Sequence, residues 1–224
     1  LDPEYRKFGL GKLLSFGRFL FIASHKSLFK SQIIAQLRGV SDEKGNSPFW
    51  NCVGKNFFAI SFNKANELCV KSSSFIDDLL PSYPIYIHYL SREAKNVIGI
   101  EHPLTSPALR LLQEEGFEKN NHIDILDGGP QLQAKLSTIK TIRESKLVSY
   151  NFDANIPLKD PQNKNSNTFD QFLISTPNKS NFFVCESPGK LKKTELTLPK
   201  GLERLFEPQE SNRIRIVLIK SKKG

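Results

Sequence analysis

Methionine is absent from the 224 residues, and tryptophan occurs only once, as Trp50. The chain opens on LDPEYRKFG, a turn signal without a start residue, so it is expected to be the C-terminal part of a longer protein. That opening also lacks the basic, then apolar, then small-residue layout of a secretion signal. No run approaches the roughly 18 consecutive apolar residues of a membrane-spanning helix, so no membrane partner is expected. Cysteine is scarce and odd in number. Cys52, Cys69 and Cys185 are too far apart to suggest a disulfide framework or a zinc site. No histidines and carboxylates fall at metal-ligand spacing either, so no metal is expected. The expected setting is reducing and cytoplasmic.

What is present is ordinary globular composition: 38% hydrophobic and 25% charged residues, with 13 Gly and 13 Pro. That is enough apolar surface for a real core. The net charge of +9 is unevenly placed, with +5 over residues 1–40, −1 over 41–150 and +5 over 151–224. A nucleic-acid binder would carry a dense basic stripe interleaved with aromatics. Here the basic runs are short, at Lys192-Lys193 and from Lys220 to Lys223. A solvated basic surface is therefore expected, and no nucleic-acid partner. A basic nucleic-acid module ranks behind the readings developed below.

Residues 12–24 place Leu13, Leu14, Phe16, Leu20 and Phe21 at near-helical spacing and predict a mostly buried helix. Ile33 to Leu37 predicts a buried strand, and 41–48 a loop rich in turn formers. A helix is expected over Phe49 to Phe58, with further helices at 63–69 and 74–80. A Tyr-rich strand from Tyr83 to Leu90 and a helix at 91–98 come next. In Thr105 to Glu115, Thr105 or Ser106 suits an N-cap and Pro107 the first turn, with Gly116 as the stop. Phe117 to Leu126 returns as a strand, closed by the turn Asp127-Gly128-Gly129-Pro130. Asn151 to Thr168 reads as a linker. FDQFLIS, NFFVCE, ELTLP and IRIVLI then read as strands of a small β-rich domain. The alternation of strands and helices argues an α/β main domain.

Arg6-Lys7-Phe8-Gly9-Leu10-Gly11 runs directly into the first helix at Lys12. Free amide hydrogens and the positive dipole end make a helix start an anion site. Gly9 and Gly11 would let a pyrophosphate approach the backbone, while Arg6, Lys7 and Lys12 could add charged contacts. Taken alone, two glycines before a helix are more often a simple turn.

R-x-x-G-x-G before a helix resembles the coenzyme A pyrophosphate loop of the GNAT acyltransferases. ALRLLQEEGF at 108–117 resembles the helix and strand that follow the central strands in that fold. A sharper resemblance is to the arginine N-succinyltransferase family. It is carried by Leu1 to Arg6, GLGKLLSFGRFLFIA, LRGVSDEKGNSPFW (37–50), PSYPIYIHYL (81–90), IGIEHPLTSPALRLLQEEGF (98–117) and IDILDGGP (123–130). These segments stand in family order across most of residues 1–147, and the tail resembles the family only faintly. The family usually has Glu where Gln36 stands, and an aromatic where His122 stands. It also has S-N-T where this tail has Ser175-Thr176-Pro177.

The resemblance implies an α/β, GNAT-like acyl-CoA N-acyltransferase fold over residues 1–150, enlarged by a helical insertion. A linker at 151–168 and a small β-rich C-terminal domain at 169–224 would follow. It implies transfer of a succinyl group from succinyl-CoA to the α-amino group of L-arginine, in arginine catabolism, within a homo- or hetero-oligomer. Succinyl-CoA would be a co-substrate, and no permanently bound cofactor is expected. Arg6, Lys7, Phe8, Gly9, Leu10, Gly11 and Lys12 would hold the coenzyme. His102 lies in a segment that resembles the family's H-P-x-T-x-P-A motif, whose histidine is the proton donor. For the guanidinium of the acceptor, Asp42, Glu43, Asp124 and Asp127 are candidates, each otherwise a turn or surface acid. His25, His88 and His122 are expected to be structural. Ornithine as acceptor and a non-catalytic GNAT-like subunit are the alternatives.

Overall fold

The computed structural model describes residues 3–5, 9–71, 83–158, 169–206 and 212–220. Along the chain the elements are α1 (Leu10–Ser24), β1 (Gln32–Gln36), α2 (Pro48–Cys52), α3 (Gly54–Phe57), α4 (Phe62–Lys71) and α5 (Arg92–Val97). After these come α6 (Ser106–Glu114), β2 (Glu118–Ile123), β3 (Pro130–Lys135), α7 (Lys140–Glu144) and β4 (Lys146–Asp153). The last are β5 (Asp170–Ser175), β6 (Val184–Lys192), β7 (Glu195–Pro199), α8 (Glu203–Phe206) and β8 (Arg213–Lys220). They form two compact units, one of Gln32–Lys135 and one of the segments on either side of it.

In the flanking unit, β4 to β8 close into a barrel of order β4-β7-β6-β5-β8. Only β4 and β7 run parallel; the other pairs are antiparallel. Strand alternation turns Val148, Phe172, Ile174, Leu196, Leu198, Ile214 and Ile216 into one buried cluster, closed by Phe206 of α8. The opposite face of β5 and β8 presents Leu173 and Val217 to Leu20 of α1. Gly17 makes that approach close, since a Cβ there would lie 2.9 Å from Val184 Cγ1. The half-buried Arg215 guanidinium ties the layers together, with Nε 2.9 Å from Ser24 Oγ of α1 and Nη1 3.1 Å from Ser145 Oγ. Sequence order suggested that 1–150 and 169–224 stand apart. In the fold, β4 completes the barrel and α1 packs on it.

The 32–135 unit holds a three-stranded antiparallel sheet of order β1-β3-β2. The central β3 buries Leu132 and Ala134. Strand β1 pairs with it from Gln32 opposite Lys135 to Gln36 opposite Gln131. As an edge strand β1 is not buried throughout: Ile34 is exposed, against the reading of 33–37 as a core strand. The expected single helix over Phe49–Phe58 is two short ones, broken at Val53. Gly54 lies so close to the Trp50 ring that a Cβ would overlap it. Trp50 stacks on Phe58 at 5.4 Å between ring centroids and joins Phe62, Ala65 and Leu126 in the core of this unit.

The Tyr-rich stretch forms no strand. Ile87–Tyr89 is a 3-10 turn, and Tyr83, Tyr86 and Tyr89 are exposed. Pro84 removes one ladder donor. The expected helix at 74–80 lies outside the described residues. Among the described residues no helix is long and apolar enough to cross a membrane.

Candidate functional site

At the start of α1, Gly9 takes the N-cap position in the left-handed region, with φ 73° and ψ 11°. An L side chain is strained there, which is the physical reason for glycine. Leu13 N donates to Gly9 O at 3.1 Å, closing the first turn. No side chain caps this helix start and no acid occupies its first turn, so its polarity is unopposed within α1. A Cβ added at Gly9 or Gly11 would meet nothing within 4 Å, so the backbone is open on that side. Lys12 is exposed, its Nζ 5.3 Å from the centre of the Phe16 ring. Arg6, Lys7 and Phe8 lie outside the described residues.

His102 belongs to the other unit. The chain around it crosses residues 37–41 by an isolated antiparallel bridge, Gly39 opposite Glu101. His102 N donates to Arg38 O at 2.8 Å within that crossing. Pro103–Thr105 then makes a 3-10 turn leading into α6, and His102 is its cap. Leu104 N donates to His102 Nδ1 at 3.1 Å, so Nδ1 carries no proton. The proton is on Nε2, which donates to Ser41 O at 3.2 Å. The ring is thus gripped from both sides, between Leu104 N and Ser41 O. Thr105 Oγ1 donates to His102 O at 2.8 Å and secures the same turn. Thr105 is the N-cap position of α6, as expected, but its side chain makes no cap bond.

Glu101, next along, turns its carboxylate to Lys119 Nζ at 3.2 Å and Ser106 Oγ at 3.3 Å. Hydrogen bonding, first to its own backbone, and the Lys119 ammonium hold its pKa below the ordinary glutamate value.

The four acids considered for a guanidinium divide sharply. Asp127 is 6% exposed, with Oδ2 accepting from Gly39 N and Oδ1 from Gly129 N, each at 2.8 Å. Burial pushes its carboxyl up, partly offset by those two N–H groups. It clamps two main-chain segments through both oxygens, buried away from the exposed loop that holds Asp42 and Glu43. Asp42 is exposed, but its two oxygens take Asn46 N at 2.7 Å and Asn46 Nδ2 at 2.8 Å, which lowers its pKa. Asp124 caps its own turn through Leu126 N at 2.8 Å. Glu43 is exposed in the same loop as Asp42. Among the described residues, no group of three His, Cys, Asp or Glu side chains is placed to hold a metal ion.

Sequence reasoning passed over Arg38 and Ser41. Arg38 Nη2 donates to Ser41 Oγ at 2.6 Å, and the same Ser41 offers its carbonyl to His102. The available signal was LRG, standing in a resembling segment but naming no acid or histidine.

The fold defines a mixed α/β protein. Residues 1–141 match the family described as arginine N-succinyltransferase beta subunit, and the chain belongs to that family. It is 49% identical over 149 residues to the arginine N-succinyltransferase of Escherichia coli O17:K52:H18 (strain UMN026), covering 66% of this chain and 43% of that protein. It is 48% identical over 149 residues to that of Shigella boydii serotype 18, with the same coverage. The chain therefore spans less than half the length of these curated relatives. Among solved structures it is similar to the arginine/ornithine succinyltransferase subunit AI of Pseudomonas aeruginosa, with a TM-score of 0.80 and 29% identity. That likeness covers 99% of this chain and 61% of the other.

Proposed function

We propose that the protein is an arginine N-succinyltransferase of GNAT-like fold, moving the succinyl group of succinyl-CoA onto the α-amino group of L-arginine. Family membership over residues 1–141 supports this reading. The observation that carries it is His102, held in one tautomer between Ser41 O and Leu104 N at the mouth of α6.

The neutral amine attacks the thioester carbonyl, whose π pair moves onto oxygen. The tetrahedral intermediate collapses, the C–S bond breaks and its electron pair leaves on sulfur. The amine gives up one proton and the thiolate needs one. His102 takes the first on Nδ1, releasing Leu104 N, and as a cation passes one to the thiolate, so the imidazole ends as it began. The backbone at Gly9, Leu10 and Gly11, open at both glycines, with Arg6, Lys7, Phe8 and Lys12, holds the coenzyme pyrophosphate. Asp42 and Glu43 remain the exposed acids for the guanidinium. The matched family and the solved relative are both subunits by name, and we read the protein as an oligomer at work in the cytoplasm.

Thiol release with succinyl-CoA tests the reading, comparing arginine, ornithine and no acceptor. Ornithine is included because the solved relative is an arginine/ornithine succinyltransferase subunit. Arginine-dependent release that drops about 10²-fold in His102→Ala is expected for loss of an acid–base group. Coenzyme binding without release for either acceptor would leave a non-catalytic subunit.

A further inference from the structure

The isolated bridge sets a register whose consequence lies one residue further along. With Gly39 opposite Glu101 in an antiparallel pair, Arg38 stands directly opposite His102, and the bond from His102 N to Arg38 O at 2.8 Å follows that register. Directly opposed residues of an antiparallel pair project to the same face, their Cβ atoms about 5 Å apart. Both side chains then reach one residue: Arg38 Nη2 meets Ser41 Oγ at 2.6 Å, and His102 Nε2 meets Ser41 O at 3.2 Å. The guanidinium and the imidazole are therefore both tied to Ser41.

Arg38 is exposed, and among the described residues its guanidinium lies in no ion pair. Of the nearby acids, Asp127 feels the Arg38 charge but gives its oxygens to Gly39 N and Gly129 N, and Glu101 turns to Lys119 and Ser106. A guanidinium carries five donors in a planar fork, and Ser41 occupies one of them, leaving an edge suited to the two oxygens of a carboxylate.

We infer that Arg38 is a carboxylate anchor beside His102. The inference rests on the succinyl-transfer reading, because both substrates of that reaction carry a carboxylate: the distal one of the succinyl group and the α-carboxylate of the amino acid. Either would be held a few bonds from the reacting carbon and nitrogen. The shared chemistry is what the geometry selects, and the two sources are separable by substrate.

The test compares Arg38→Gln and Arg38→Lys with the unaltered protein on two substrate pairs. The first pair is succinyl-CoA and butyryl-CoA, which differ by the distal carboxylate. The second is L-arginine and agmatine, which differ by the α-carboxylate. The expected result is that one of the two kcat/KM ratios collapses by roughly 10²-fold in Arg38→Gln, identifying the carboxylate, while Arg38→Lys retains part of it. Both ratios unchanged in a folded Arg38→Gln protein would overturn the inference. The bond to His102 uses the Arg38 main chain, so these variants are expected to keep the native fold, which their thermal unfolding checks.

A readout independent of turnover is titration with succinate and, separately, arginine, following the His102 ring resonances by NMR. A saturable shift lost in Arg38→Gln supports the anchor, and no shift with either probe contradicts it. An unaltered protein that shows the shift but releases no thiol defeats the enzyme reading alone.

Discussion

The Asp127 carboxylate accepts a hydrogen bond from the amide of Gly39 at 2.8 Å, joining segments 88 residues apart in the sequence. Its other oxygen takes Gly129 N, and Leu37 N donates to Pro130 O at 3.1 Å beside it. The backbone that offers its carbonyl to His102 is thereby locked to the turn at 127–130. The crossing is so close that a Cβ on Gly39 would lie 2.4 Å from Asp127 O, and one on Gly129 2.2 Å from Leu37 O.

Gly39→Ala therefore forces main chain against main chain, with no flexible side chain to give way. A loss of about 3 kcal/mol in unfolding free energy is expected, measured by urea denaturation. A loss below about 0.5 kcal/mol would mean that the crossing is looser than described.

Asp127→Asn keeps one acceptor and turns an amide N–H₂ toward the other backbone N–H, at a cost of about 1–3 kcal/mol. The pH dependence has a definite sign. Burial raises the native carboxyl above its unfolded value near 3.9, so the folded state binds the proton more tightly. Asp127 thus contributes most below the unfolded value, and part of that contribution is lost as pH rises through the native one. The stability gap between wild type and Asp127→Asn is expected to narrow from acid toward neutral pH. Paired urea curves at several pH values check this, and a gap that widens instead would refute the raised value.

His102→Asn separates the two jobs of the ring. Asparagine is a good cap and can accept from Leu104 N, so stability is expected to stay within about 1 kcal/mol of wild type. It cannot shuttle protons, so thiol release is expected to fall about 10²-fold. Equal losses in melting temperature and in activity would point to a cap and nothing more.

Gly11→Ala has open space for its Cβ and replaces a poor helix former inside α1. It is expected to stabilise the protein by up to about 1 kcal/mol. If a pyrophosphate lies against this backbone, the same methyl obstructs it, and coenzyme affinity measured by calorimetry should fall. Gly9→Ala differs because φ is 73° there: it is expected to cost about 1 kcal/mol, through strain alone.

Much of the local structure could be read without coordinates. The helix at 12–24, the strands of 170–220 and the turn at 127–130 follow from patterns that repeat within a few residues. There, apolar periodicity, capping residues and glycines act on their own neighbourhood. The helix start that follows His102 was legible too, because Thr105, Ser106 and Pro107 are contiguous. The two helices at 48–57 were misread as one, since the break comes from Gly54 packed against the Trp50 ring, a contact that periodicity does not encode. The Tyr83–Leu90 stretch has strand composition but no strand, because a strand also needs a partner to bond, and among the described residues none pairs with it.

What the sequence alone determined was the family and the glycine start of α1 at Gly9. What only the tertiary structure decided was how the polar groups share their partners. Asp42, Asp124 and Asp127 look alike in sequence, yet one closes a surface loop, one caps its own turn and one is buried against two main-chain amides. Arg38 carries no signal of its own, and is set beside His102 only because an antiparallel bridge aligns residues 64 positions apart. Hydrogen-bond partners across such distances are chosen by backbone register and burial, and those are properties of the folded chain as a whole.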